Sequence, residues 1–299
     1  MFVELKKFFN LKSTLVQYTL VLSIFLLVSA IELAINDSSV KTPLIINFFS
    51  IYISSLVLFL ITTKVLKFKG ANYFNYSITT IILYLLIHPT TAWWIFPIAI
   101  VMTVAAKYIF RYRQLPIFNP AAMGLFLTYC LSVLLHKMGF IHETLFVSWW
   151  GAELNRTSYA QSPALYILPA IFVVLLLYFS HKYKKLLHGA VFLITYLLTA
   201  TIFSLVTGKS INTIFQLITF TLLSSYAFLS FVMVTEPKTS PIIPKQQIIL
   251  GIIGGMLLFI FANYLPHIKT MLEIPELIAL LILNIFTLIF KRRRFFETV

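Results

Sequence analysis

The chain has 299 residues, of which 60% are hydrophobic and only 11% are charged. Soluble domains average about 25% charged residues, so this composition excludes a water-soluble globule, and the apolar content excludes intrinsic disorder. A single cysteine, Cys130, excludes a disulfide scaffold. The composition is that of a polytopic membrane protein, with a formal net charge of +14.

The apolar residues fall into ten segments, most of them close to the 20 or so residues with which a helix crosses a bilayer. In chain order the predicted helices lie near residues 14–35, 45–62, 77–91, 93–110, 119–135, 163–180, 188–207, 211–234, 246–264 and 274–290. Only a few residues around His88 and Pro89 separate the third helix from the fourth. We therefore expect the third helix to be short or discontinuous.

The positions of the charges predict the orientation, because cytoplasmic loops carry the excess of Lys and Arg. With the N-terminus inside, the basic residues left outside are Lys41, Lys137, Arg156, Lys209 and Lys269. The sequence therefore predicts an all-α fold of about ten transmembrane helices in the plasma membrane, with both termini cytoplasmic. The basic residues are expected to contact lipid headgroups. Nucleic acid is not an expected partner, because no basic stretch alternates with stacking aromatics.

The predicted helices carry no charged residue near their centres, which disfavours a transporter built on a buried carboxylate. Hydroxyl groups are densest in the eighth helix, where Ser224, Ser225 and Ser230 are candidates for an ion path. The alternative is that these hydroxyls donate to carbonyls of their own helix or join neighbouring helices.

Three glycines, Gly251, Gly254 and Gly255, begin the ninth predicted helix. They favour either close packing of two helices or close approach of a ligand. The six histidines lack the spacing of a metal site. No nucleophile with a base, phosphate-binding loop or carboxylate pair is present, so we expect no metal and assign no catalytic residue.

The loop that we call the arginine turn, residues 107–124, joins the fourth and fifth predicted helices. Asn119 is suited to cap the fifth helix, and Pro120 to its first position, where the missing N–H costs nothing. Arg111 and Arg113 lie on the same side of the membrane as that helix N-terminus. Together they predict a positive, donor-rich concavity at the cytoplasmic boundary, suited to an anion or a ring carbonyl.

The loop that we call the proline turn, residues 233–245, joins the eighth and ninth predicted helices. Its three prolines make it stiff and non-helical. Thr235, Thr239 and Ser240 supply hydroxyl groups, and Glu236 supplies the only carboxylate. Both turns fall on the cytoplasmic side, which favours one ligand site between them. Helix capping and interfacial anchoring would explain each turn separately.

The two turns resemble the signature motifs of a family of membrane subunits. The similarity lies in Phe118-Asn119-Pro120-Ala121-Ala122 with Gly124, and in Thr235-Glu236-Pro237 followed by Thr239-Ser240-Pro241. The family includes the B subunit of the sodium-translocating NADH:quinone reductase and the D subunit of the Rnf electron-transport complex. Its members usually carry Asp where this chain has Glu236.

The resemblance implies one membrane domain, residues 1–299, made of two related five-helix bundles. Here these are residues 1–135 and 163–299, joined by an outer loop at 136–162. It also implies FMN or riboflavin at the two turns, other redox subunits and quinone as partners, and electron transfer coupled to sodium or proton transport. The residues expected to bind the flavin are Arg111, Arg113, Asn119, Pro120, Thr235, Glu236, Thr239 and Ser240.

The outer loop departs from the family pattern. Many members carry a flavin phosphate covalently on a threonine in a Ser-Gly-Ala-Thr-like motif, but here Glu153 stands in that place. A carboxylate cannot form the same phosphoester, so we predict non-covalent flavin, with Thr157 as a minor alternative acceptor. Trp149 and Trp150 are candidates for stacking on a flavin ring or for anchoring at the interface.

Three hypotheses about function follow. The first is a subunit of a redox-driven, ion-translocating complex that binds flavin and is inactive alone. The second is a stand-alone transporter or channel for a small solute on the same fold, which the missing acceptor threonine favours. The third is a membrane scaffold without a ligand.

Overall fold

The computed structural model describes residues 13–67, 72–142, 144–145, 147–151, 167–223, 225–264 and 274–296, without the side chains of 167–169, 220, 223 and 291–296. The structure is 78% helical with almost no sheet, which confirms the all-α prediction. Two compact units are formed, Met1–Val104 with Leu127–Gly151, and Ala105–Phe126 with Ala152–Val299. The chain thus changes units three times, after residues 104, 126 and 151, and the last of these changes lies within the predicted outer loop. The division into two five-helix halves stays a prediction.

The described residues of the first unit form three complete helices and parts of two more. Its elements are α1 (Thr14–Asn36), a 3₁₀ turn (Ser38–Val40), α2 (Lys41–Leu60), a π-helical turn (Ile61–Val65), α3 (Tyr73–Leu86), most of α4 (Ile95–Ile109) and the second part of α5 (Pro120–Lys137).

The second unit begins with the end of α4 and contains the start of α5. Between them lies a hairpin of β1 (Arg111–Tyr112) and β2 (Leu115–Pro116). There follow α6 (Ile167–Lys182), α7 (Leu186–Val206), α8 (Ile211–Leu223), α9 (Ser225–Phe228), a π-helical turn (Leu229–Met233), α10 (Pro244–Tyr264) and α11 (Pro275–Phe296).

Each of the ten predicted segments overlaps helical residues of the structure, and the eighth is built from α8, α9 and the π-helical turn. Within the described ranges, five helical stretches are long and apolar enough to cross a membrane. They are Thr14–Asn36, Ser38–Val65, Pro120–Lys137, Leu186–Val206 and Pro244–Tyr264. Their length and composition indicate a membrane protein. The number of crossings and the orientation of the termini stay predictions.

Helix α3 is 14 residues long. At 1.5 Å per residue it spans about 21 Å, less than the roughly 30 Å of a bilayer core. The backbone from Ile87 to Trp94 is not helical, because proline disfavours the helical conformation of the residue before it and Pro89 follows His88. The prediction of a short third helix is confirmed.

The carbonyl groups at the end of α3 are paired with residues 148–151 of the same unit. The N–H groups of residues 148 and 149 donate to the Leu86 carbonyl, and that of Gly151 donates to the Leu85 carbonyl at 3.0 Å. The indole N–H of Trp150 donates to the Tyr84 carbonyl at 2.7 Å. The backbone carbonyl groups left open where α3 ends are thereby satisfied by protein groups.

Both tryptophans of this segment are buried. Trp149 is 6% exposed and Trp150 is 5% exposed, and the Trp150 ring meets the Tyr84 ring edge to face, with centroids 5.5 Å apart. Interfacial anchoring, one of the two roles expected of these residues, requires a ring at the protein surface. The two rings belong instead to the interior of the first unit.

The glycines of α10 pack against α7. A Cβ atom at Gly254 would lie 2.8 Å from the Phe192 ring, and one at Gly251 would lie 2.9 Å from the Val191 side chain. The nearest atoms to Gly255 likewise belong to α7. Of the two roles expected for these glycines, the structure supports close helix packing.

Candidate functional site

Residues 111–116 of the arginine turn form a β-hairpin with a two-residue connection, within the second unit. Strands β1 and β2 pair antiparallel, with Arg111 opposite Pro116. The connecting residues Arg113 and Gln114 have φ angles of 49° and 67°. Two successive residues with positive φ are typical of a type I′ turn, whose usual residues are Asn and Gly. The hairpin therefore holds two long side chains in a backbone conformation that costs each of them energy.

Replacing Gln114 by glycine is expected to stabilise the hairpin. Gln114 is exposed, so the change removes the strain of the left-handed backbone conformation and loses little packing. Part of this gain is offset, because glycine loses more chain entropy on folding. We expect a gain of up to about 1 kcal/mol, seen as a higher apparent melting temperature of the detergent-solubilised protein. Gln114→Ala is the matched control, because it shortens the side chain but keeps the strained backbone. Equal melting temperatures for the two variants would contradict this assignment.

Asn119 joins three parts of the second unit. Its side-chain oxygen accepts from the Ala122 N–H (3.1 Å), which confirms the predicted cap of α5, with Pro120 as the first helical residue. Its amide donates to the Met233 carbonyl at 3.1 Å, and its backbone N–H donates to Asn284 Oδ1 at 2.8 Å. Asn119 is 3% exposed. It therefore fixes the arginine turn directly to the proline turn and to α11.

Hydrogen bonds within residues 236–240 close the proline turn, and one from Thr235 joins the turn to the helical residues before it. The Glu236 carbonyl accepts from the backbone N–H (3.0 Å) and the hydroxyl (2.7 Å) of Ser240. The Glu236 carboxylate accepts from the Thr239 hydroxyl at 2.5 Å, and Thr235 donates to the Phe231 carbonyl. Stiff and polar as predicted, the turn uses its own hydroxyl groups to hold its shape.

Two buried residues outside both turns hold the proline turn, one just before α7 and one in α10, and neither was predicted as a site residue. Lys185 Nζ donates to the carbonyls of Ser240 (3.2 Å) and Pro241 (2.6 Å). Gln247 Nε2 donates to the carbonyls of Pro241 and Ile242. The sequence signal was a lysine at the start of a helix, where the helix dipole disfavours a positive charge.

One cavity of about 630 Å³ lies between the two turns and α11. The arginine turn contributes the residues 112–113 and 115–117, and the proline turn contributes the residues 237–239 and 242–243. The remaining lining residues are Gln246, Asn284, Thr287 and Leu288. The two turns therefore face one space, as the sequence analysis expected of them.

The polar groups of the cavity are mostly cations and neutral donors. Arg113 and Lys238 line it and are exposed, while Thr239 and Asn284 are buried. The Arg113 guanidinium lies 5.4 Å from the centre of the Tyr112 ring, a second lining residue of the hairpin. Gln246 and Thr287 add neutral polar groups, and most of the remaining lining residues are apolar. Such a lining suits a flat, partly apolar molecule that carries negative charge or carbonyl groups.

Of the eight residues expected to bind flavin, Arg113 and Thr239 line the cavity. Arg111 lies beside α4, where its Nε donates to the Lys107 carbonyl (2.8 Å) and its guanidinium is 4.2 Å from the Tyr108 ring centre. Arg111 is one of six that are not among the residues lining this cavity; the others are Asn119, Pro120, Thr235, Glu236 and Ser240. Their contact with a ligand stays a prediction.

Of the three candidates for an ion path, Ser225 lies in α9 and Ser230 in the π-helical turn Leu229–Met233. Ser225 and Ser230 are buried, and the Ser230 hydroxyl donates to the Tyr226 carbonyl at 2.7 Å. Ser224 lies outside the described residues, as do Glu153 and Thr157 of the outer loop. The bond of Ser230 is the back-bonding that the sequence analysis gave as the alternative.

Among the described residues, no group of three or more His, Cys, Asp or Glu side chains is placed to hold a metal ion. Neither the known protein-family models nor the curated protein sequences include a match to this chain. The family resemblance of the two turns therefore stays a prediction, and the case for function depends on the geometry of the cavity.

Proposed function

We propose that the chain is a multi-pass subunit of a plasma-membrane, redox-driven ion-translocating complex, and that it binds FMN or riboflavin non-covalently between the arginine turn and the proline turn. The observation that carries this proposal is the cavity of about 630 Å³ that both turns line, with cations at its rim. The motif resemblance of the same turns supports it. Ten membrane crossings with cytoplasmic termini belong to the proposal.

The residues of the cavity fit a flavin. A flat ring is accommodated by apolar walls such as Leu115 and Ile243. The Asn284 amide can donate to a ring carbonyl, and the Thr239 hydroxyl, whose hydrogen goes to Glu236, can accept from a ring N–H. Arg113 and Lys238 would hold a phosphate at the rim. A flavin bound here would supply one- and two-electron transfer chemistry. The chain itself binds and orients the cofactor and shields part of it from water.

The proposed assembly needs partners, because a single flavin site has neither donor nor acceptor. Other redox subunits, with quinone as a candidate acceptor, would supply both, and anionic lipids would contact the basic residues at the boundary. A sodium or proton path along Ser224, Ser225 and Ser230 belongs to the same proposal.

The first experiment is purification of the chain followed by absorption spectroscopy. We expect yellow protein, or colourless protein that binds added FMN, with all flavin released on denaturation and none attached to the polypeptide. Protein that binds neither FMN nor riboflavin would contradict the proposal.

The rim cations are expected to select FMN over riboflavin. Lys238→Met and Arg113→Met should each weaken FMN binding by about tenfold, since a charge-assisted hydrogen bond contributes roughly 1.5–3 kcal/mol, and should leave riboflavin binding almost unchanged. Titration of protein with each flavin, followed by fluorescence quenching, measures both constants. Lys245→Met is the matched control, because Lys245 is exposed nearby but does not line the cavity. Equal losses for both flavins would contradict a phosphate at the rim.

The second candidate is a stand-alone transporter for a small solute. It is favoured by Glu153 in the position of the family's acceptor threonine. Proteoliposomes containing only this chain separate the two functions. Uptake of an anionic solute without bound flavin would support the transporter, and flavin retention without uptake would support the redox subunit.

A further inference from the structure

Lys185 is a buried cation paired with carbonyl oxygens. Its side chain is 3% exposed, and its ammonium group donates to the carbonyls of Ser240 and Pro241 at 3.2 and 2.6 Å. Burial of a lysine ammonium is costly unless it is hydrogen-bonded. We therefore expect a buried lysine here only if the carbonyl groups of Ser240 and Pro241 need a strong hydrogen-bond donor.

The proline turn creates that need. Each of its three prolines lacks an N–H group, so the backbone of the turn has fewer donors than acceptors. Side chains from outside the turn supply the difference: Lys185 reaches two carbonyls, and Gln247 Nε2 donates to those of Pro241 and Ile242 at 3.3 and 3.1 Å. Gln247 also donates to the Lys184 carbonyl at 2.9 Å. The proline turn is thereby fastened to the corner between α6 and α7.

The fastened carbonyls lie between residues that face the cavity. Thr239 precedes Ser240 and Ile242 follows Pro241, and both outer residues line the space whereas the inner two do not. We propose that Lys185 is a positioning residue for the ligand cavity: its ammonium fixes the Ser240–Pro241 backbone and so sets where Thr239 and Ile242 stand. This inference rests on the proposed flavin site.

Paired flavin titrations test the role of Lys185. Lys185→Met removes the donors and the charge, whereas Lys185→Arg keeps both, although the larger head group has to fit. We expect Lys185→Met to weaken FMN and riboflavin binding by the same factor, about tenfold or more, and Lys185→Arg to restore most of the affinity for both. Lys238→Met is the comparison, since a rim cation is expected to affect FMN alone. A loss in Lys185→Met confined to FMN would overturn positioning in favour of a direct charge effect, and no loss would overturn the inference entirely.

Hydrogen exchange of the ligand-free protein provides a readout that is independent of flavin. We expect faster exchange at the amides of residues 239 and 240 in Lys185→Met, while the amides of α10 beyond its first turns keep their wild-type rates. Unchanged exchange at the proline turn would overturn the inference even if flavin binds. If wild-type protein binds no flavin, the proposed function fails, and exchange still decides whether Lys185 holds the turn.

A second variant covers the case in which Lys185→Met does not fold. Gln247→Met removes the other donor to the same turn without changing the charge. We expect the same equal loss for FMN and riboflavin and the same local rise in exchange. A monodisperse Gln247→Met protein with wild-type exchange and wild-type affinity for both flavins would overturn the shared positioning role.

Discussion

Replacement of Asn119 by alanine is expected to destabilise the second unit by about 2–4 kcal/mol and to weaken flavin binding. The helix cap of α5 contributes about 1 kcal/mol. Loss of the amide leaves the buried Met233 carbonyl with only a long bond from the Glu236 N–H (3.4 Å) and removes the link between the two turns, which costs about 1–3 kcal/mol more. Thermal unfolding of the detergent-solubilised protein and FMN titration measure the two effects. The backbone N–H bond to Asn284 survives in the variant.

Asn119→Ser separates the two roles of this residue. Serine can cap a helix but cannot reach the Met233 carbonyl as an amide does. We therefore expect the unfolding temperature of Asn119→Ser to lie between those of the wild type and Asn119→Ala. Its FMN affinity should be close to that of the alanine variant. If the serine variant binds FMN as tightly as the wild type, the bond between the turns does not shape the cavity.

Gly255→Ala is expected to be the most disruptive single methyl group in α10. A Cβ atom there would lie 2.5 Å from the Phe192 carbonyl oxygen, 2.8 Å from Thr195 Cβ and 3.0 Å from the Tyr196 nitrogen. Two of these atoms are backbone, so α10 and α7 would have to separate. Overpacking of this kind costs about 1–3 kcal/mol or more. The readout is the yield and melting temperature of monodisperse protein.

Gly251→Ala is the matched control on the same face of α10. Its Cβ atom would meet the Val191 side chain at 2.9 Å, and the nearest backbone atom, the His188 carbonyl oxygen, at 3.2 Å. Adding Val191→Ala removes the Cγ atom at 2.9 Å but keeps the Val191 Cβ atom at 3.0 Å, so it is expected to restore part of the stability of Gly251→Ala. No side-chain deletion can do the same for Gly255→Ala, because backbone opposes it. A Gly255→Ala protein with wild-type stability would contradict the packing assigned to this face.

Local features were the ones that the sequence predicted well. The ten apolar segments all overlap helices, because a chain without polar side chains satisfies its backbone groups most readily within a helix. The short third helix followed from Pro89, and the cap of α5 followed from Asn119 and Pro120. Each of these is decided by interactions within about four residues of the chain. The proline turn is stiff for the same reason.

The contacts between distant residues were not available from the sequence. The hairpin form of the arginine turn was missed, because Arg113 and Gln114 are not the usual residues of a type I′ turn. Burial of Trp149 and Trp150 depends on the carbonyl groups left open at the end of α3. A sequence pattern shows neither the backbone strain of the hairpin nor the pairing of the tryptophan segment with α3.

Composition and periodicity determined by themselves that this is a helical, membrane-type chain with two stiff polar turns, since lipid leaves a backbone few ways to satisfy its polar groups. Only the tertiary structure decided which side chains surround the cavity. Arg113 and Thr239 line it but Arg111 does not, and Lys238 and Asn284 line it as well. Lys185 holds the proline turn from outside this lining. The physical reason is that prolines lack N–H groups, so the carbonyl groups of the proline turn find too few donors within the turn. They are paired instead with the donors that the packing of α6, α7 and α10 brings near. These pairings join residues far apart in the chain, so the sequence pattern does not predict them.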